Sequence, residues 1–183
     1  MEEKTRLLLH SCCGPCSTAC IERLAASYDV TLFYSNSNIW PPEEFRLRQE
    51  NVEKLGAITG TPVIVDPPDH EEWEERVAKG YEQEPEKGER CSRCFRYNLT
   101  KTRAAMEAGG FEAFTTSLTV SPHKPSPTIL SIGKEVGGDR FLPENFKKKD
   151  GYLDSLRLSR EYGLYRQNYC GCPYSQRPAP LRT

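Results

Sequence analysis

The sequence predicts an α/β fold, a parallel, doubly wound sheet with helices on both faces. Three observations carry that expectation. The apolar run Leu7-Leu8-Leu9 has the length of a fully buried strand and breaks at Gly14-Pro15. Further β-branched and aromatic runs then alternate with stretches of helical spacing. Finally, cysteines crowd the carboxyl end of the first strand, where open α/β sheets place their ligands.

Taken in order, the first strand gives way to a helix from Cys16 through Ile21, with Ser17 or Thr18 as its cap. Val30-Thr31-Leu32-Phe33-Tyr34 reads as the second strand. Pro42 suits a first helical position, and residues 43–58 follow with Phe45, Val52, Leu55 and Ile58 at helical spacing before Gly60 closes the turn. Residues 61–65 form the third strand. Residues 66–79 form a strongly acidic helix capped by Asp69. After an irregular connector over 81–90, a helix runs from Cys91 to Gly109 and carries Cys91-Ser92-Arg93-Cys94 in its first turn. Phe114-Thr115-Thr116-Ser117-Leu118 is the fourth strand, and the proline-rich stretch 121–127 is a rigid loop at its carboxyl end. A short helix over 129–136 and a last one over 153–162 lead to Tyr165-Arg166-Gln167 and the final cysteines. The tail Arg177-Pro178-Ala179-Pro180 is expected to be loose. Residues 1–183 are expected to form one domain, 1–123 a Rossmann-like core and 124–183 a mostly helical extension that completes a metal site.

Apolar residues make up 37% of the chain and aromatic residues 10%, and no run is long enough for a membrane helix. Met1-Glu2-Glu3-Lys4 is not a signal peptide, so a cytoplasmic location with reduced thiols is expected. The net charge of −1 hides an asymmetry: residues 124–183 hold 11 Lys or Arg against 6 Asp or Glu, while residues 1–123 hold 14 against 20. A basic end beside an acidic remainder suits a polyanionic partner.

Eight cysteines point to metal or redox chemistry. They cluster as Cys12-Cys13, Cys91-Ser92-Arg93-Cys94 and Cys170-Gly171-Cys172, with Cys16 and Cys20 four residues apart on one helical face. One zinc ion takes four ligands, so six to eight thiols suit an iron–sulfur cluster with a second ion better. Cys20 reads as core, whereas Cys16 stays open between core and ligand. His10 and His123 read more readily as hydrogen-bonded structural residues than as ligands.

With these segments assembled, the chain resembles the epoxyqueuosine reductase family of the QueH type. The resemblance rests on Leu8-Leu9-His10-Ser11-Cys12-Cys13-Gly14-Pro15-Cys16 and Arg90-Cys91-Ser92-Arg93-Cys94-Phe95. Phe114-Thr115-Thr116-Ser117-Leu118, Ser121-Pro122-His123-Lys124 and Tyr165-Arg166-Gln167-Asn168-Tyr169-Cys170-Gly171-Cys172 extend it over most of the chain. It implies a HUP-type fold, a [4Fe-4S] cluster with an adjacent mononuclear iron or other divalent metal, and ligation by Cys12, Cys13, Cys91, Cys94, Cys170 and Cys172. The implied activity is reduction of the epoxide of epoxyqueuosine at the wobble position of a tRNA with a GUN anticodon. No cobalamin is involved, and a reduced carrier such as ferredoxin is the expected donor. Tyr165, Tyr169 and His123 are candidate general acids by residue type, Lys124 and Arg166 candidate phosphate contacts, and a monomer is expected.

Two rivals remain. An ATP-dependent tRNA-thiolating enzyme of the same superfamily needs a glycine-rich pyrophosphate loop where this chain has Ser11-Cys12-Cys13-Gly14-Pro15. A non-catalytic zinc-binding RNA module is the other.

Overall fold

A computed structural model describes residues 3–175. Four parallel strands lie in the order β3-β2-β1-β4: β1 Thr5–His10, β2 Tyr28–Tyr34, β3 Val63–Val65 and β4 Ala113–Thr116. β1 is central, with Leu8 paired to Thr31 on one side and Phe114 on the other. Side chains alternate across a strand, so the three leucines divide between two cores. Leu7 and Leu9 join Cys20, Ile21, Leu24, Val52 and Leu55 from α1 (Gly14–Leu24) and α2 (Pro42–Thr59). Leu8 joins Phe95, Leu99, Met106, Ile129 and Ile132 on the opposite face. All three leucines are fully buried, as expected when helices cover both faces of a sheet.

Local chemistry explains most element ends. In α2, Pro42 takes the first helical position directly after Pro41, and Gly60 ends the helix at φ +69° with its N–H on Gly56 O. Phe45, Val52 and Leu55 are buried as expected, but Ile58 is 45% exposed and Arg48 takes a core position instead. Asp69 caps α3 (His70–Trp73) by accepting the Glu72 N–H at 2.9 Å, and the chain continues as a π-helical turn over Glu74–Ala78. That segment buries Trp73 and Val77.

α1 begins differently from the expectation. Its cap is Cys13, whose sulfur accepts the Cys16 N–H at 3.4 Å, while Ser17 and Thr18 lie inside the helix and donate back to the carbonyls of Cys13 and Pro15. A sulfur has displaced the hydroxyls from the capping role.

α4 (Glu89–Ala108) carries the CxxC in its first turn. β4 ends at Thr116, two residues before the sequence suggests, and tightens into a 3₁₀ turn over Ser117–Val120. α5 (Ser126–Gly137) lies against α4, and α6 (Gly151–Glu161) against α1. The C-terminal third is built into the same two cores, with Phe146 and Leu164 in one and Ile129, Ile132 and Phe141 in the other. Residues 177–180 lie outside the described residues. Among the described residues, no helix is long and apolar enough to cross a membrane.

The strand order has a consequence for the site. From β1 the chain winds outward through β2 to β3, then crosses back through α4 to β4 on the other side of β1. The crevice beyond the carboxyl ends of β1 and β4 is therefore the topological switch point of the sheet.

Candidate metal centre

Cys12, Cys13 and Cys16 occupy that crevice, with sulfurs all within 4.8 Å of one another. The end of β4 fixes them from the other side. Cys12 N–H donates to Ser117 Oγ at 3.0 Å, and that hydroxyl donates to Cys12 Sγ at 3.2 Å. Hydrogen bonds from Cys12 and Cys16 hold the Cys13 thiol well below its ordinary range, and the amino end of α1 favours negative charge at the same place. The bond that Cys12 gives to Cys13 pushes Cys12 itself up to about 12. Related folds seat phosphate on a helix amino terminus; here a side chain of the same chain already lies on it.

A second wall comes from α4 and the C-terminal loop. Cys94 receives Trp73 Nε1–H at 3.4 Å and Asn98 Nδ2–H at 3.7 Å, and Cys91 receives the Lys87 N–H at 3.3 Å. Cys172 packs with Cys94, Trp73 and Val77. Burial pushes the thiols of Cys91, Cys94 and Cys172 up, and the charge of Cys170 adds to each. These four cysteines therefore share one electrostatic neighbourhood. Lys124 connects it to the first wall. Burial lowers its ammonium, but the charges of Cys170, Cys12, Cys16 and Cys13 more than reverse this. Soft thiolate donors of this number fit iron–sulfur or zinc binding, and Cys12, Cys13 and Cys16 are able to hold a metal.

Arg48 positions the C-terminal cysteines. Its side chain is 2% exposed, pairs through Nε with Glu44 at 2.8 Å, and donates to Cys170 O at 2.8 Å and Tyr169 O at 3.1 Å. Gly171 sits between them at φ +119°, where a Cβ would lie 2.9 Å from Arg48 Nη1. Trp40 N–H to Gly171 O at 2.8 Å completes the attachment.

The other candidates separate clearly. His10 is fully buried with Nε2 donating to Ser35 O and Nδ1 accepting from Thr116 Oγ1, so neither ring nitrogen is free for a metal. Burial lowers its pKa to about 4 and keeps it neutral. Tyr165 Oη donates to the Glu44 carboxylate, and Tyr169 Oη to Trp40 O at 2.6 Å, so both hydroxyls hold the loop in place. Arg166 turns back to Ser155 O and Ser159 Oγ of α6. His123 instead lines an open cleft of about 470 Å³ with Pro85, Glu86, Lys87, Tyr174 and Ser175. Sequence reasoning missed Arg48 and Tyr174 and left Cys16 open. The signal for Arg48 was present: an arginine at the helical spacing of Phe45, Val52 and Leu55.

Residues 7–178 match the family model described as epoxyqueuosine reductase QueH. Among relatives bearing that name, the protein of Streptococcus pyogenes serotype M1 is 42% identical over 177 residues, 92% of this chain and 69% of the relative. That of Acinetobacter baylyi is 38% identical over 179 residues, 94% and 81% of the two chains. That of Thermotoga maritima is 37% identical over 175 residues, 92% and 89% of the two chains. With the cysteine motifs falling inside the matched span, this chain belongs to the epoxyqueuosine reductase QueH family.

Proposed function

We propose that the chain reduces the epoxide of epoxyqueuosine at the wobble position of tRNAs with a GUN anticodon, giving queuosine and water. The observation that carries this reading is the cysteine trio at the switch point, in a member of a family whose named relatives are epoxyqueuosine reductases. Removing the oxygen takes two electrons and two protons and leaves an alkene. The proposed cofactors are a [4Fe-4S] cluster and an additional mononuclear iron. Cys12, Cys13, Cys91, Cys94, Cys170 and Cys172 are the proposed ligands, with Cys16 joining them by position. When bound, such a group supplies electrons singly and a Lewis acid for the epoxide oxygen.

The chain's own residues supply the rest. His123, on the loop after β4, faces the cleft and is the proposed proton donor to the leaving oxygen. Tyr165 and Tyr169 keep Glu44 and Trp40 as partners and so act by fixing the loop that carries Cys170 and Cys172. Trp73, fully buried behind Cys94, keeps water from that sulfur. Lys124 places a positive charge beside the cysteines and balances the thiolates. Arg166 lies exposed on the same loop and is the weaker proposed contact for the tRNA backbone. A reduced ferredoxin is the proposed donor.

The reaction is tested with anaerobically iron-loaded protein, dithionite or reduced ferredoxin, and an anticodon stem-loop carrying epoxyqueuosine. Mass spectrometry of the digested RNA should show loss of one oxygen, with neither ATP nor cobalamin added. Untouched epoxide, with sulfur entering the RNA when ATP is supplied, would replace this reading with thiolation.

A further inference from the structure

Cys94 receives two hydrogen bonds that ligation of a metal does not require. Trp73 is fully buried, and a buried indole N–H needs an acceptor. The chain offers it a sulfur: Trp73 Nε1–H donates to Cys94 Sγ at 3.4 Å. Stacking holds the indole in that direction. Its ring lies 5.6 Å from that of His70 at an interplanar angle of 16°, and 6.4 Å from that of Tyr174 at 28°. Both neighbours are themselves tied down, His70 Nδ1 to Ser37 O at 2.8 Å and Tyr174 Oη to the Glu74 carboxylate at 2.7 Å. A second donor comes from one turn further along α4. Asn98 Nδ2 lies 3.7 Å from the same sulfur and 3.4 Å from Asn38 Oδ1. Asn98 is 3% exposed and Cys94 9%, so little water competes for these bonds.

A thiol sulfur is a weak acceptor, and hydrogen bonds to a charged acceptor are the stronger ones, so both bonds gain strength as Cys94 gains negative charge. Thiolate charge and burial oppose the addition of an electron to an iron–sulfur cluster, whereas N–H donors to the ligand sulfurs favour it. We propose that Trp73 is a positioning residue that acts through Cys94: its indole N–H stabilises the reduced cluster and raises the reduction potential, with Asn98 as a weaker second donor. This rests on Cys94 being a ligand of the proposed cluster. Packing alone asks only for a ring at this place, which phenylalanine would supply; the N–H aimed at the sulfur is what sets tryptophan apart.

The test is a potentiometric titration of the anaerobically reconstituted full chain, followed by visible absorbance and by electron paramagnetic resonance of the reduced cluster. Trp73→Phe keeps a stacking ring and removes the N–H. Its cluster should be about tenfold harder to reduce, which is about 59 mV more negative for a one-electron couple. Asn98→Leu should shift the potential in the same direction and by less, because its contact is the longer one. Wild-type protein carries a further readout. Trp40 and Trp73 are the two tryptophans of the chain, so isotopic labelling of the indole nitrogen should reveal a nitrogen coupled to the reduced cluster. Trp40→Phe should keep that coupling and Trp73→Phe should lose it. The wild-type coupling and the Asn98→Leu shift decide the matter if Trp73→Phe does not fold. An unchanged or more positive potential in Trp73→Phe, or no nitrogen coupling in wild type, would overturn the proposal while a wild-type cluster leaves the reductase reading intact. Wild-type protein that assembles no cluster from iron and sulfide would overturn both.

Discussion

Arg48→Met removes the residue that ties the C-terminal cysteines to the body of the protein. The substitution keeps much of the apolar stem and deletes the guanidinium. Four interactions disappear: the pair with Glu44, the donors to Tyr169 O and Cys170 O, and the guanidinium's place over the Tyr169 ring. Truncating one partner of a buried ion pair costs about 3–5 kcal/mol. The lower end applies here, because the Glu44 side chain keeps 12% exposure and its bond from Tyr165 Oη. A loss of about 3 kcal/mol, placed on the loop that Arg48 holds, raises its open population about a hundredfold. Cys172 is 6% exposed and reacts with a thiol reagent only when the loop opens, while exposed Cys170 on the same loop serves as the internal reference. In metal-free protein, peptide mass spectrometry should show Cys172 labelled about a hundredfold faster in Arg48→Met, with Cys170 little changed. Arg48→Lys should fall between the two. Labelling of Cys172 at the wild-type rate in Arg48→Met would show that the arginine does not hold the loop.

The same loop should respond to Gly171→Ala, which forces a side chain into positive φ against Arg48, costs about 1–3 kcal/mol, and should also expose Cys172 to the reagent. His10 predicts an acid limit on stability. Its folded pKa near 4 lies below the unfolded value, so the unfolded chain binds the extra proton between pH 6.5 and 4. Stability is complete above that window and falls by about 3 kcal/mol across it, and denaturation of His10→Gln should lack that slope. In iron- and sulfide-reconstituted protein, Cys91→Ser or Cys94→Ser should abolish the visible absorbance, whereas Cys20→Ser should keep most of it. Cys20 is fully buried in the core and donates to Cys16 O, so its loss affects packing alone. An intact spectrum in Cys94→Ser would show the proposed ligand set to be wrong.

The strands and long helices were legible because each carries its own signal. Leu7-Leu8-Leu9, Val30 to Tyr34, Pro42 and Gly60 mark their positions through local sterics and burial. Features that depend on a distant partner were not. Ile58 fits the helical spacing but stays 45% exposed, while Arg48 goes inside to reach carbonyls more than 120 residues away. The hydroxyls of Ser17 and Thr18 are the usual capping groups, yet Cys13 comes first in the chain and its sulfur takes the free N–H. Cys16 was ambiguous because the spacing of Cys16 and Cys20 describes an apolar helical face as well as it describes a ligand. Only the turn that brings Cys12 and Cys13 back over α1 places Cys16 beside them. Tyr165 and Tyr169 suggested acid catalysis by residue type, and the partners that occupy their hydroxyls, Glu44 and Trp40, lie over a hundred residues away.

Cys12, Cys13 and Cys16 stand where related folds carry a phosphate loop, and on the proposed function they help to hold the iron. Iron and acid-labile sulfide in anaerobically reconstituted protein test this central claim most directly, measured on wild type and on Cys13→Ser. Wild type should contain iron and sulfide in the proportion of one [4Fe-4S] cluster with one further iron, and Cys13→Ser should lose most of both while remaining folded. Stoichiometric zinc without labile sulfide in the wild type, or an unchanged iron content in Cys13→Ser, would contradict it.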